Sequence, residues 1–378
     1  MVREKDNNES IQQWAHRSGS NERVKAMLNL AHPDLAVLQS ELDVDPWLFN
    51  CLNGTIELKS GVLSAHRRKD MITKLASVNY DPDATAPNWH RFNSEIFGAN
   101  KAIMSYVQRF CGYSLTGDVS EQSLAFCHGA GANGKTTFIN AFRQCLGDYA
   151  QEAAPGLLLE KTFAGIPNDI ARLRGARFVT VTETAANRAV DEGFIKRSTG
   201  GDRVAARFLH GEYFEFPPTH KLWLISNHKP IIRGQDYAIW RRIKLVPFEV
   251  TFKPADQDRD LPNKLRDELP GILAWAVRGC LEWQRIGLRE PAEVQMATDI
   301  YKTEMDTVQR FLDECCLVAN SGGMTQAKDL YEKYKSWAEQ NGERPLSGQD
   351  FGKQLPSKGL ERKRMSNGIY WLGLSLVE

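Results

Sequence analysis

The 378-residue sequence has almost no excess charge and lacks a long apolar run. Lys and Arg number 48 against 47 Asp and Glu, so the formal net charge is +1. This balance excludes a polybasic tail protein and a strongly acidic binder, although a local basic patch stays compatible with nucleic-acid binding. No apolar run approaches the roughly 18 residues that a membrane span needs. We expect no signal peptide, because the N-terminus is polar.

Paired cysteine motifs are also lacking. The seven cysteines are scattered and include no C-x-x-C pair, which indicates reduced, mostly buried thiols in a cytoplasm-like compartment. The sequence is 42% hydrophobic, which is enough for a real core, and its length predicts two or three domains. Between about residues 123 and 248, apolar strand-like runs alternate with helical patterns, which predicts an α/β core.

The strongest motif is GAGANGKT at residues 129–136, which fits G-x-x-x-x-G-K-[ST]. An apolar strand-like run precedes it, and an amphipathic helix pattern that stops at Gly147 follows it. In this context backbone N–H groups can surround phosphates, and the helix N-terminus adds the positive end of its dipole. We expect Lys135 to reach the β- and γ-phosphates and Thr136 to hold Mg²⁺. The predicted ATP-binding residues are Gly129, Gly131, Asn133, Gly134, Lys135, Thr136 and Thr137.

The same glycines also fit the G-x-G-x-x-G turn of dinucleotide-binding proteins. That turn requires an acidic residue about 20 positions later, at the end of a second strand. Glu152 has nearly that spacing but does not lie in an apolar strand. A protein-kinase glycine loop is excluded, because H-R-D and D-F-G motifs are lacking. A phosphate loop is therefore favoured.

Three further elements follow the loop. The apolar run 178–182 ends in Glu183, which we expect to poise the attacking water and help hold Mg²⁺, although the second acid common at this point is lacking. The run 221–226 precedes Asn227, which is either a phosphate sensor or a plain turn residue. Arg241 and Arg242 precede the next apolar run and are either solvated edge charges or an arginine finger for a neighbouring subunit.

Residues 129–248 resemble the superfamily 3 helicase domain of phage, plasmid and poxvirus primase-helicases, through GAGANGKT, FVTVTE, residues 194–230 and WRRIKLVPF. Residues 47–92 are similar to the domain that precedes the helicase in that family, and the tail from Asp306 is similar to its winged-helix C-terminus. Family members are hexameric, ATP-driven helicases that move 3′-to-5′ on single strands. The resemblance makes Arg242 the better match to the arginine finger and Arg241 the second.

The resemblance also implies a β-hairpin that projects into the channel of a ring, with arms at residues 203–209 and 212–216 and its tip at His210 and Gly211. We expect Arg207 and His210 to donate to DNA phosphates and Tyr213 to face a base. The alternative is a surface hairpin in which Arg207 pairs with Glu215.

The tail has the pattern helix, helix, hairpin, with a turn signal at residues 366–368. Its basic residues either contact DNA or dock another protein. The predicted DNA contacts are Lys353, Arg362, Lys363 and Arg364.

The predicted fold is an α/β protein with a P-loop NTPase (AAA+-like) core, a helical N-terminal region and a C-terminal winged-helix module. We predict a helical segment at residues 1–45, a helicase-preceding domain at 46–120, the ATPase core at 121–255, a helical extension at 256–305 and the winged helix at 306–378. The D-x-D of Asp43 and Asp45 resembles a primase metal pair. So little chain precedes it that we expect no primase domain and no primer synthesis.

The predicted function is ATP-dependent DNA unwinding during replication of a phage, plasmid or other mobile element, in a bacterial host cytoplasm. The expected ligands and partners are ATP, Mg²⁺, single-stranded or forked DNA, further copies in a homohexameric ring, and a primase or other replication protein. Two alternatives are an ATP-gated loader or scaffold without processive unwinding and a phosphate-loop kinase for a small molecule. The kinase is disfavoured, because residues 194–216 would have no purpose in it.

Overall fold

The first part of the chain combines two pairs of helices with a small antiparallel sheet. The computed structural model describes residues 2–160, 168–183, 188–209, 211–318 and 323–377, without the side chains of residues 2–9 and 183. Its first elements are α1 (Val2–Ser18), α2 (Asn21–Leu35), β1 (Leu48–Cys51), β2 (Gly54–Glu57), β3 (Val62–Ser64), α3 (Pro87–Ile96) and α4 (Lys101–Leu115). The sequence pattern predicts one helical stretch across α3 and α4. It is interrupted because Gly98 and Ala99 adopt positive φ angles of 57° and 58°.

The centre of the chain is a five-stranded, all-parallel sheet in the order β10-β4-β9-β6-β5. The predicted α/β class and the strands before the glycine-rich motif, Glu183 and Asn227 are confirmed. The elements are β4 (Leu124–His128), α5 (Lys135–Leu146), β5 (Ala150–Glu152), α6 (Asn168–Ala171), β6 (Phe178–Glu183), α7 (Glu192–Gly200), β7 (Val204–Ala206), β8 (Phe214–Phe216), β9 (Lys221–Ser226), α8 (Tyr237–Trp240) and β10 (Ile243–Pro247).

Both faces of this sheet are covered by apolar side chains. Cys127 and Trp223 belong to one buried cluster, together with residues of α3, α4 and α5. Their strand neighbours Phe126 and Leu224 belong to a second cluster on the other face. Successive strand residues point to opposite faces, so the continuous apolar runs of β4 and β9 are those of strands buried on both sides.

Three helices follow the sheet: α9 (Leu261–Asp267), α10 (Leu269–Ile286) and α11 (Ala292–Glu304). The apolar spacing predicts one helix over residues 262–285, but the chain breaks between α9 and α10. Pro270 in the first turn of α10 has no N–H to continue the preceding helix. The Glu268 carboxylate at the break accepts hydrogen bonds from the backbone N–H groups of Asn88 (3.0 Å) and Trp89 (2.9 Å), which caps the first turn of α3.

The last part of the chain has its own hydrophobic core, which includes Phe311, Tyr334 and Phe351. Its elements are α12 (Thr307–Cys315), β11 (Cys316–Val318), β12 (Met324–Gln326), α13 (Ala327–Gln340), α14 (Gly348–Gln354), β13 (Glu361–Met365), β14 (Gly368–Leu372) and β15 (Leu374–Leu376). The predicted hairpin is confirmed as β13 and β14, which pair antiparallel. Ser347 caps α14, as its hydroxyl accepts from the N–H of Asp350 at 3.1 Å.

The sequence pattern predicts Thr325 as the N-cap of the first helix after the strand β11, and this prediction is wrong. Thr325 lies in β12 rather than at the start of α13, and its hydroxyl donates to the carbonyl oxygen of Leu374 at 3.1 Å. Gln326 precedes the helix instead and makes no side-chain cap.

The seven cysteines are free, and all except Cys315 are buried, as predicted. Within the described residues, no helix is long and apolar enough to cross a membrane.

Helices α4 and α10 approach so closely that only glycine fits at two positions. A Cβ atom on Gly112 would lie 2.0 Å from the backbone nitrogen of Cys280, and one on Gly279 would lie 2.2 Å from the carbonyl oxygen of Gln108. Since these obstacles are backbone atoms, a side chain could enter only if the two helices moved apart.

We expect Gly112→Ala to lower the free energy of unfolding by about 1–3 kcal/mol, the usual cost of overpacking a core. Chemical denaturation measures it. Gly352→Ala in α14 is the matched control, because its Cβ would meet Trp371 at an ordinary 3.9 Å. Equal effects of the two substitutions would contradict a requirement for glycine at position 112.

Candidate nucleotide-binding site

The glycine-rich motif forms a tight turn between β4 and α5. Gly131, Ala132 and Gly134 adopt positive φ angles of 116°, 48° and 81°. A Cβ atom on Gly134 would lie 2.5 Å from the side chain of Ile96, and one on Gly129 would lie 2.3 Å from the carbonyl oxygen of Phe248. The glycines are therefore needed both for backbone conformation and for close packing against α3 and the end of β10.

Lys135, the first residue of α5, is 4% exposed. Its ammonium group donates to the carbonyl oxygen of Gly129 (2.7 Å) and to the amide oxygens of Asn133 (2.9 Å) and Asn227 (2.9 Å). Desolvation by burial lowers the pKa of Lys135 below its ordinary value. The three partners are neutral oxygens, so they orient the ammonium group without cancelling its charge.

The two asparagines hold the lysine from different sides. Asn227 follows β9, where the sequence predicted it, and the structure brings its amide to Lys135. Asn133 is 3% exposed, and its amide nitrogen also donates to the carbonyl oxygen of Phe248 at 3.1 Å. Asn133 thus positions the lysine and ties the loop to the end of β10. Sequence reasoning placed Asn133 in the loop but missed this positioning role.

A cavity of about 330 Å³ opens above the loop. Because the carboxyl ends of parallel strands meet at one edge of a sheet, the cavity is formed by the loop, the start of α5 and the ends of β6 and β9. It is lined by Gly131, Ala132, Asn133, Gly134, Lys135, Thr136, Thr137, Thr182, Ile225, Ser226 and Asn227. A buried ammonium group, hydroxyl groups and the N-terminus of a 12-residue helix suit an anionic phosphate.

Glu183 is the last residue of β6 and follows Thr182 of the cavity wall, but its side chain lies outside the described residues. Among the described residues, no group of three or more His, Cys, Asp or Glu side chains could hold a metal ion. Mg²⁺ is usually bound by one or two protein groups together with phosphate oxygens. Thr136 lines the cavity, so the described residues offer a hydroxyl oxygen to a metal ion that would arrive with phosphates.

The two arginines lie at the opposite ends of the strands, just before β10 begins. Arg242 immediately precedes β10, and Ile243 pairs with Leu124 at the start of β4. The length of β4, roughly 16 Å at ~3.3 Å per residue, therefore separates the pair from the loop. Arg242 is 8% exposed and donates to the hydroxyl of Thr199 (3.1 Å) and to the carbonyl oxygen of Ala238. The structure does not bring the arginines to the cavity of their own chain.

The predicted hairpin forms, with β7 and β8 paired antiparallel. His210 at its tip lies outside the described residues. The guanidinium of Arg207 lies over the ring of Tyr213, 5.0 Å from its centroid. Glu215 pairs with Arg203 at 3.6 Å, so the alternative pairing of Arg207 with Glu215 is wrong.

Sequence reasoning missed that the hairpin tip is apolar as well as basic. Phe208, Leu209 and Tyr213 are 48%, 59% and 64% exposed. The adjacent Phe208 and Leu209, next to a glycine-containing turn, were the signal for it.

The four basic residues predicted to contact DNA in the tail lie on two different elements, a helix and a strand. Lys353 on α14 pairs with Asp350 at 3.0 Å. Arg362, Lys363 and Arg364 are exposed on β13, the edge strand of the sheet β12-β14-β13. Because side chains alternate along a strand, Arg362 and Arg364 share one face and Lys363 points to the other.

The D-x-D carboxylates are engaged in local hydrogen bonds. Asp43 accepts from the backbone N–H of Thr73 at 2.7 Å, and Asp45 accepts from that of Trp47 at 2.8 Å. These contacts are those of turn-stabilising side chains.

The fold and the site define an α/β protein with a lysine-bearing, glycine-rich loop at the carboxyl edge of a parallel sheet. Three family descriptions match separate stretches of the chain: D5 N terminal like at residues 1–98, a family of unknown function (DUF5906) at residues 127–242, and Poxvirus D5 protein-like at residues 303–368. The middle match contains the loop, Glu183 and Asn227.

Curated viral proteins are similar to much of the chain. A "Putative helicase" of Acanthamoeba polyphaga mimivirus is 28% identical over 79% of this chain and 34% of its own length, and one of Frog virus 3 is 31% identical over 60% and 25%. A "Putative primase" of African swine fever virus is 24% identical over 79% and 33%. The solved C-terminal region of NrS-1 aligns over 94% of this chain and 90% of that chain, with 10% identity and a TM-score of 0.47.

The chain thus contains stretches that match D5-type domains and is similar to viral helicases and primases, in agreement with the resemblance noted from its motifs. It spans about a third or less of the length of the curated relatives it matches.

We expect Asn133→Ala to lower the free energy of unfolding by about 1–3 kcal/mol, because it leaves the Phe248 carbonyl oxygen and one Lys135 donor without their partner. Thermal and chemical unfolding measure the change. Asn140→Ala is the control, as Asn140 lies nearby on α5 with no side-chain hydrogen bond among the described residues. Equal effects of the two substitutions would show that the Asn133 contacts add nothing.

Proposed function

We propose that the protein is the motor part of an ATP-dependent DNA helicase that works as a ring during replication of a virus, phage, plasmid or similar element. The relatives support a replicative, helicase-like function for the family. The observation that carries the proposal for this chain is the placement of Lys135 by Asn133 and Asn227 above the glycine-rich loop.

In this proposal the loop is a phosphate loop of a P-loop NTPase. Its N–H groups and the start of α5 bind the β- and γ-phosphates, and Lys135 exchanges one of its neutral acceptors for a phosphate oxygen. Thr136 and Glu183 would hold Mg²⁺, which supplies charge neutralisation at the phosphates when bound. Glu183 orients the attacking water and accepts its proton, and water replaces ADP on the terminal phosphorus.

Asn227 can connect the nucleotide to the DNA contact. Its amide bonds Lys135, and β9, which it follows, begins a few residues after the hairpin strand β8. Entry or loss of the terminal phosphate would change the bonding of Asn227 and thereby shift β9 and the hairpin base. At the tip, the Arg207–Tyr213 pair offers a positive charge and an aromatic ring to a nucleic-acid strand.

A ring is needed for the arginines to act. Both lie at the edge of the sheet away from their own cavity, so either could meet only the cavity of a neighbouring copy. Arg241 is more exposed than Arg242 and donates to Gln122. We therefore propose Arg241 as the arginine finger and Arg242 as the residue that fixes its backbone, which reverses their order in the family resemblance. The C-terminal winged helix, with Arg362 and Arg364 on one face of its hairpin, would hold duplex DNA.

The first test is Lys135→Ala. We expect loss of ATP turnover by at least about 10³-fold, since the charge over the transferred phosphate is removed, while the chain remains folded. Phosphate release and strand displacement on a forked duplex are measured, with the exposed Lys69→Ala as control. Turnover retained in Lys135→Ala refutes the phosphate-loop assignment. DNA-stimulated turnover without strand displacement in the parent chain would support the loader instead.

The second test is the double variant Arg207→Ala with Tyr213→Ala. Stacking on an aromatic side chain contributes about 1–3 kcal/mol per base, so we expect DNA stimulation of turnover and strand displacement to fall together by about tenfold or more. Turnover without DNA is expected to persist. Arg203→Ala is the control, because it removes the same charge at the hairpin base, where Arg203 pairs with Glu215. Unwinding at the parental rate by the double variant would exclude the hairpin as the DNA grip.

A further inference from the structure

A second cavity, of about 430 Å³, lies on the other side of the glycine-rich loop. It shares Ala132, Gly134 and Thr137 with the phosphate cavity. The remaining walls come from α3, from the segment after β10 and from the start of α9. A ligand whose phosphates lie over the loop can therefore extend into this second cavity without leaving the loop.

The chemistry of the second cavity differs from that of the first. Its wall contains the rings of Phe92 and Phe252 and the apolar side chains of Leu261 and Pro262. Its charged residues are two basic and three acidic: Arg91, Arg259, Glu95, Asp256 and Asp258. An excess of acid disfavours phosphate here, while aromatic and aliphatic walls suit a flat, uncharged group.

Two of the three carboxylates are already paired. Glu95 pairs with Arg91 at 3.7 Å, and Asp258 pairs with Lys264 at 2.6 Å. Asp256 has no side-chain partner among the described residues. It is therefore an unpaired carboxylate that can accept hydrogen bonds in this cavity.

The segment that carries these groups is tied to the loop. The backbone N–H of Phe252 donates to the carbonyl oxygen of Ala132 at 2.8 Å, and the Gln257 side chain donates to the carbonyl oxygen of Phe252 at 3.1 Å. The position of the Phe252 ring is therefore coupled to the conformation of the loop.

We infer that the second cavity binds the nucleoside half of the nucleotide, with Phe252 against the base and Asp256 accepting hydrogen bonds from the nucleoside. This inference rests on the proposed function, because it takes the phosphates to lie in the first cavity. In this inference residues 252–262, which follow the sheet, determine which nucleoside is preferred, and Lys135 binds the charged phosphates.

Calorimetric titration of the full chain with ATP and with inorganic tripolyphosphate tests the inference. We expect Phe252→Ala to weaken ATP binding about tenfold and Asp256→Ala to weaken it several-fold, while tripolyphosphate affinity stays within about twofold for both. Lys253→Ala, an exposed neighbour that does not line the cavity, should leave both ligands unchanged. Lys135→Ala should weaken ATP and tripolyphosphate alike.

A second variant distinguishes a loss of nucleoside binding from a local disturbance of the loop. Leu261→Trp fills the cavity from α9 and should also weaken ATP alone. The inference is overturned if the parent binds ATP no more tightly than tripolyphosphate, or if Phe252→Ala and Leu261→Trp weaken both ligands equally. Either result leaves the phosphate loop standing. Failure of the parent to bind either ligand instead removes the proposed function and the inference with it.

Discussion

The hydrogen bonds of one buried ammonium group hold together three of the five strand ends at the carboxyl edge of the sheet. Lys135 receives its acceptors from the loop after β4 and from the residue after β9, while Asn133 extends the connection to the end of β10. Three neighbouring strand ends are thereby joined through one cation and two amides. Because a buried amine without acceptors is costly, the loop, Asn133 and Asn227 depend on each other for their positions.

The segment before the loop is part of the same construction. Trp89 of α3 stacks on Phe138 of α5 with ring centroids 5.0 Å apart, and Ile96 occupies the space beside Gly134. The face of the sheet that carries α5 is thus closed by residues from both before and after the central α/β part in sequence. A displacement of the loop would therefore disturb the packing of α3. The region that precedes the loop in sequence thus helps to form the site.

Much of this arrangement could be predicted from the sequence. The features that could not be predicted share one physical origin. Apolar periodicity and glycine spacing located β4, α5, β6 and β9, because these signals are local. Glu268, at the break in a predicted helix, caps a helix some 180 positions earlier in the chain, and Gly112 is required by a backbone atom of α10. The local sequence leaves Arg242 as either a solvated edge charge or an arginine finger, but its side chain is buried against Thr199. The structural roles of such residues are set by contacts between distant parts of the chain. A local sequence pattern does not contain these contacts.

The edge position of β13 has a consequence that is independent of DNA. An edge strand exposes unpaired N–H and C=O groups on which another chain can add a strand, and charged side chains are a common protection against such pairing. Arg362, Lys363 and Arg364 place three consecutive positive charges on this edge, so a second copy aligned along it would bring like charges together. The same residues therefore act as a barrier to aggregation, and this barrier constrains how far the strand can lose its basic character.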